Sequence, residues 1–150
     1  LDFVLLTHAH IDHSGLLPRL VREGFTGPIY ATGATVDLVG VMLPDSGHIQ
    51  EMDARRAQRL PARQGRRVAA PLYTVQDARD SLRQFRSVAY DQSFAPHPTV
   101  DCVYRDAGHI LGSAIVESSV RPAWSRAAIS DSPDDRSCAI RRSSSAPTCC

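Results

Sequence analysis

The run Thr7-His8-Ala9-His10-Ile11-Asp12-His13-Ser14-Gly15 sets three imidazoles and one carboxylate within six consecutive positions, directly after the apolar segment Phe3-Val4-Leu5-Leu6. Neutral imidazole is the commonest metal ligand, and a carboxylate adds a hard oxygen donor suited to Zn²⁺ or Mn²⁺. His8 and His10 stand two apart, so on extended backbone they leave the same face and can grip one ion. Asp12 and His13 follow within the turn, where they could reach a second ion. Two-metal hydrolytic sites hold their ions roughly 3.5–4 Å apart, a span that one compact loop can serve. The competing reading is a surface loop that happens to be rich in histidine. Four ligands at this spacing after a strand argue against it.

The pattern His-x-His-x-Asp-His resembles the signature of the metallo-β-lactamase fold superfamily. Further blocks narrow the resemblance to its RNA-processing branch, the β-CASP nucleases. These are Leu16-Leu17-Pro18-Arg19-Leu20, Gly27-Pro28-Ile29-Tyr30-Ala31-Thr32, Asp45-Ser46-Gly47-His48-Ile49-Gln50-Glu51, Pro71-Leu72-Tyr73-Thr74 and Ala107-Gly108-His109-Ile110-Leu111-Gly112-Ser113. They stand in the family's order and cover roughly residues 1 to 117.

The resemblance implies roles residue by residue. His8 and His10 would ligate the first metal, with His109 completing that imidazole set. Asp12 and His13 would ligate the second, and Asp12 would also orient the attacking water as the catalytic carboxylate. Zn²⁺ lowers the pKa of bound water to about 7, and two cations offset the charge that grows on the attacking and leaving oxygens. His109 also reads as a plain turn histidine at a strand end, although the glycines around it permit a tight backbone approach.

His48 reads as a helix cap, or as a hydrogen-bond partner of a metal ligand; the structural role is favoured. His97 lies between Pro96 and Pro98 and reads as a loop residue. Tyr30 and Tyr73 read as packing, since the interleaved aromatics of a base-stacking platform are missing.

The elements that must position these residues alternate between two periods. Phe3 to Thr7 reads as a buried strand. Ser14 is the expected N-cap of a helix whose apolar stripe, Leu16, Leu17, Leu20 and Val21, stops at Gly24. Pro28 to Ala31 reads as a strand. Gly33 to Met42 reads as a helix with Val36, Val39 and Leu43 on one side, and Ile49 to Leu60 as another that Pro61 breaks. Thr74-x-x-Asp77 resembles a capping box with Asp in place of Glu. Val75, Ala78, Leu82 and Phe85 then repeat as one packed helix face. Ser87 to Tyr90, Val100 to Tyr104 and Gly112 to Glu117 read as strands. Interleaved helices and strands predict an α/β layer architecture. That agrees with the partial metallo-β-lactamase αββα sandwich the resemblance implies, expected here as one domain over residues 1–117.

After Glu117 the pattern changes. Residues 118–150 are dense in serine, arginine and small residues and read as a disordered low-complexity tail, or as a coding sequence out of frame. The family's Ser-Gly-Asp type motif, whose Asp bridges two metals, is missing, as are the second domain and its late histidine. Only one strand precedes the His-rich loop where the family places several. The resemblance therefore implies a fragment of a larger enzyme.

At 150 residues the chain can enclose one modest core. Its formal net charge of +1 announces no basic nucleic-acid-binding field. Every basic residue is arginine, which suits bidentate phosphate contacts. Arg55, Arg56, Arg59, Arg63, Arg66 and Arg67 could track phosphates, but a solvated helix face is the favoured reading. Cys102, Cys138, Cys149 and Cys150 fit neither a zinc knuckle nor a disulfide framework and read as unpaired thiols. No apolar run is long enough for a membrane span, and no basic signal region opens the chain, so the expectation is a cytoplasmic protein.

These readings converge on a metal-dependent hydrolase with an RNA substrate and two zinc ions, Mn²⁺ being an alternative metal. A thioester or lactam hydrolase on the same fold is the first competitor. A catalytically inactive metal-binding fragment is the second.

Overall fold

The computed structural model describes residues 1–59 and 70–121. The elements run β1 (Val4–Leu5), α1 (Ile11–Ser14), α2 (Leu17–Arg22), β2 (Ile29–Thr32), α3 (Gly33–Arg59), α4 (Val75–Leu82), β3 (Phe85–Val88), β4 (Ser93–His97), β5 (Val100–Asp106) and β6 (Ala114–Val120). They build two three-stranded sheets. One is all parallel in the order β1-β2-β3, and the other is antiparallel in the order β4-β5-β6.

The strand period assigns the layers. Along β2, Ile29 and Ala31 are fully buried in the core with Val39 and Leu43 of α3, Ala78 of α4 and Leu17 of α2. Tyr30, between them, points the other way and meets Phe94 of β4 at 5.1 Å between ring centroids. The Tyr104 hydroxyl of β5 donates to the Tyr30 carbonyl at 2.9 Å, a direct bond between the two sheets. Helices, parallel sheet and antiparallel sheet therefore stack in that order. This is the α/β layering expected from the alternating pattern and part of the αββα sandwich that the resemblance implies, with three of its four layers among the described residues.

Several expected elements are rearranged for identifiable reasons. The two helices expected over 33–42 and 49–60 are one, α3, which carries Pro44 inside it. Asp45-Ser46-Gly47 has the composition of a turn, yet tertiary contacts hold it helical. A Cβ on Gly47 would stand 2.9 Å from Val75 N and 3.0 Å from the Thr74 carbonyl oxygen, so glycine is what lets α3 cross the start of α4 this closely. One turn on, Gln50 Oε1 accepts from Leu72 N–H at 3.0 Å, and Glu51 Oε1 from Val75 N–H at 2.9 Å. These contacts outweigh local turn propensity. His48 consequently lies exposed in mid-helix and caps nothing.

Ser14 does not cap the following helix. It closes α1, where its hydroxyl donates back to the Ala9 and His10 carbonyls. Leu16 takes the position before α2 and is exposed rather than part of the apolar stripe. Phe85 is the first residue of β3, not the last of the α4 face. Ser93–His97 forms a strand the pattern did not announce, because Pro96 and the mixed polarity hide its period; His97 ends that strand and its Nδ1 lies 2.8 Å from Thr99 Oγ1.

The capping box at α4 is complete. Thr74 Oγ1 accepts from Asp77 N–H at 3.1 Å, and Asp77 Oδ2 from Thr74 N–H at 2.8 Å. The last strand runs three residues beyond Glu117, and Arg121 still donates its N–H to Thr99 O and pairs with Asp101. Residues 118–120, expected in the tail, belong to β6 instead; residues 122–150, with Cys138, Cys149 and Cys150, lie outside the described residues. So do Arg63, Arg66 and Arg67. Cys102 is a buried free thiol. No described helix is long and apolar enough to cross a membrane.

Candidate metal centre

The histidine-rich loop leaves the end of β1 and is tied on both sides. Leu6 N–H donates to Tyr30 O at 2.9 Å, and the Thr7 carbonyl accepts from Ala114 N–H of β6 at 2.8 Å. Ala9 is fully buried, which turns His8 and His10 outward to either side of it. His10 then takes an extended conformation (φ −50°, ψ 141°) as the residue that opens α1. The loop is pinned from below by Ser14, whose hydroxyl reaches the Ala9 carbonyl at 2.9 Å.

A second loop, between β5 and β6, brings His109 to the same place. His109 Nε2 lies 3.3 Å from His10 Nδ1, and the His109 ring centroid is 5.2 Å from that of His8. His8, His10 and His109 each offer one ring nitrogen, and these three atoms lie within 4.8 Å of one another. Zinc–nitrogen bonds of about 2.0–2.1 Å in tetrahedral geometry place two ligand nitrogens roughly 3.3–3.4 Å apart. The His10–His109 separation already has that value, so the donor set fits a zinc-type ion. Among the described residues no other three His, Cys, Asp or Glu side chains converge in this way.

Electrostatics favour the ligand form. His8 is held below its ordinary pKa of 6.5, first by burial and then by the neighbouring His13, His10 and His109, against a smaller opposite pull from Asp12. Its ring stays neutral near pH 7, as a ligand must. A hydrogen bond of 2.9 Å between Thr7 Oγ1 and Nδ1 orients it and leaves Nε2 for a metal.

Asp12 and His13 sit in α1 on the exposed lip. The His13 ring is 4.2 Å from that of His8, and its Nε2 is 3.6 Å from Asp12 Oδ2. The Asp12 side chain is 78% exposed. The pair adjoins the three-histidine group without belonging to it. His48 and His97 are not part of the cluster. An open cleft of about 390 Å³, lined by Thr26, Gly27, Pro28, Tyr30, Gln84 and Arg86, shares no residue with the histidines. Arg86 already donates to the Arg83 and Phe85 carbonyls, and Arg55 is engaged by Glu51 at 3.5 Å.

The residues that hold the His109 loop carry no motif of their own. Ser113 Oγ accepts the N–H groups of His109 and Ile110 at 3.0 and 3.1 Å. The Tyr90 hydroxyl donates to the Ser113 carbonyl at 2.8 Å. Thr32 and Thr35, both buried, donate their hydroxyls to the Gly112 carbonyl at 2.5 and 2.9 Å. The one hint in the sequence is the spacing Thr32-x-x-Thr35 directly after a strand, which reads locally as a helix cap.

Comparison with known proteins places this geometry in context. The family model of the metallo-beta-lactamase superfamily matches residues 1–83. Transcription termination factor FttA of Thermococcus kodakarensis is 36% identical over 117 residues, 77% of this chain and 16% of that protein. Ribonuclease TTHA0252 of Thermus thermophilus is 36% identical over 115 residues, 77% of this chain and 22% of the relative. Transcription termination factor FttA of Methanocaldococcus jannaschii is 34% identical over 115 residues, again 77% of this chain and 16% of the relative. The chain therefore spans 16% to 22% of the length of these relatives.

Proposed function

The chain belongs to the metallo-beta-lactamase superfamily, and from that premise we propose that it carries the metal-holding part of a β-CASP-type enzyme that hydrolyses RNA phosphodiester bonds. The observation that carries this reading is the convergence of His8, His10 and His109 from two loops about a hundred residues apart in sequence. The name of the Thermus relative, a ribonuclease, favours RNA as the substrate class.

His8, His10 and His109 would hold one zinc ion, and Asp12 with His13 would contribute to a second; Mn²⁺ suits the same donors. Bound zinc supplies Lewis acidity, bringing the pKa of water near 7 and offsetting charge on phosphoryl oxygens. The chain's own contribution is placement. Asp12, on the exposed lip, is free to accept a hydrogen bond from the attacking water, orient it and take up its proton. Thr7 fixes the His8 ring.

A second reading, that these 150 residues bind one metal without turnover, is favoured by one observation. Asp12 and His13 adjoin the cluster as a pair and do not form a second three-donor group among the described residues. Zinc analysis of the purified chain together with an RNA cleavage assay tests both. RNA turnover that requires zinc and is lost in Asp12→Asn supports the nuclease. One equivalent of zinc with no cleavage supports the inert metal-binder, and no zinc at all contradicts both.

A further inference from the structure

We propose that Thr32 and Thr35 form a latch that positions His109 for metal binding, acting through the backbone carbonyl of Gly112. The inference rests on the metal-site reading above and adds residues outside the ligand set.

The two threonines come from the junction of β2 and α3, 77 and 80 positions away from Gly112 in sequence. Thr32 Oγ1 accepts from Thr35 N–H at 3.3 Å, and its own proton is shared between the Gly112 carbonyl at 2.5 Å and Thr35 Oγ1 at 3.0 Å. Thr35 Oγ1 donates to the same oxygen at 2.9 Å. One carbonyl thus receives two hydroxyl donors, with Thr35 fully buried and Thr32 nearly so. Gly112 has φ +84°, and a Cβ there would lie 2.6 Å from Thr35 N and 2.8 Å from Thr35 Oγ1. The loop therefore docks on the start of α3 at a distance only glycine permits.

The geometry transmits this placement to the imidazole. Ser113, next to Gly112, accepts the His109 and Ile110 N–H groups, so the loop between Gly108 and Ser113 is a closed hydrogen-bonded turn. Fixing Gly112 fixes that turn as a body. The His109 ring itself is exposed; among the described residues its side-chain hydrogen-bond partner is His10, with the His8 ring 5.2 Å away, so its entry into the site depends on how its own loop is held. Without the latch the loop could shift by a fraction of an ångström, enough to misplace a ligand nitrogen whose bond length is set within about 0.2 Å.

The test is zinc titration of the full 150-residue chain and its Thr35→Val and Thr35→Ser variants, with cobalt(II) absorption as the spectroscopic readout of ligand geometry. Thr35→Val keeps the shape and removes the donor. The expected result is zinc affinity reduced on the order of 10–100-fold, the range found for outer partners of metal ligands, with an altered cobalt spectrum. Thr35→Ser should restore both. Equal affinity and spectrum in Thr35→Val would overturn the proposal, as would a loss that serine does not rescue. Thr32→Val serves in its place if Thr35→Val does not fold. Hydrogen exchange of the His109 and Ile110 amides in the metal-free chain separates this idea from the metal reading. Faster exchange in Thr35→Val supports the latch even where the parent chain takes up no zinc, and unchanged exchange refutes it.

Discussion

His109 Nε2 approaches His10 Nδ1 to 3.3 Å across 99 positions of sequence. Two imidazole nitrogens at that distance can share one proton or face one cation. With His8 alongside, the cation arrangement uses all three rings.

The first prediction concerns the distant ligand. His109→Ala should weaken zinc binding by at least about 100-fold, more than loss of an outer partner costs, with little change in the stability of the metal-free chain because His109 is exposed. Isothermal titration with zinc checks this. Unchanged affinity would remove His109 from the site.

A second prediction follows from His8. Its pKa is lowered on folding, so the folded chain binds that proton less readily than the unfolded chain does. Well above 6.5 the residue is neutral in both states and contributes nothing to the pH dependence. As pH falls below 6.5 the unfolded state gains protons first, and the metal-free fold loses stability. Melting temperatures of the metal-free chain between about pH 7.5 and 5 should show this fall, and His8→Gln should flatten it.

Gly47 sets two opposing effects against each other. Replacing it with alanine favours the helix by about 0.8–1 kcal/mol. The new Cβ meets backbone atoms of Thr74 and Val75 at 2.9–3.0 Å, and overpacking of this kind costs typically about 1–3 kcal/mol. Net destabilisation is expected in urea unfolding of Gly47→Ala. A gain in stability would show that α3 and α4 separate easily.

The capping box at α4 is the fourth case. Thr74→Ala should cost about 1 kcal/mol. Asp77 experiences burial, which raises its pKa, but hydrogen bonds from Thr74 and the Arg22 guanidinium at 3.5 Å outweigh it and hold the carboxyl below its ordinary 3.8. A depressed carboxylate stabilises the fold above pH 3.8, and that stability is lost as pH falls from there through the folded value. Acid unfolding of Asp77→Asn should therefore be shallower than that of the parent.

What is legible in the sequence follows from how local each feature is. The cluster from His8 to His13 is legible because its donors sit within one turn, and the α4 cap because Thr74 and Asp77 bond each other across three residues. The continuity of α3 is not, since Asp45-Ser46-Gly47 is locally a turn and only the contact with Thr74 and Val75 makes it a helix. Ser14 looks like a cap for the helix ahead, but its hydroxyl finds the carbonyls behind it. Thr32 and Thr35 are silent for the same reason, because their shared acceptor lies some eighty residues away.

The account stands on three imidazoles binding one cation. X-ray absorption of the zinc-loaded chain tests this most directly. It should show three imidazole nitrogens at about 2.0–2.1 Å from the metal, reduced to two in His109→Ala. A shell of oxygens alone, or a shell indifferent to that substitution, would contradict it.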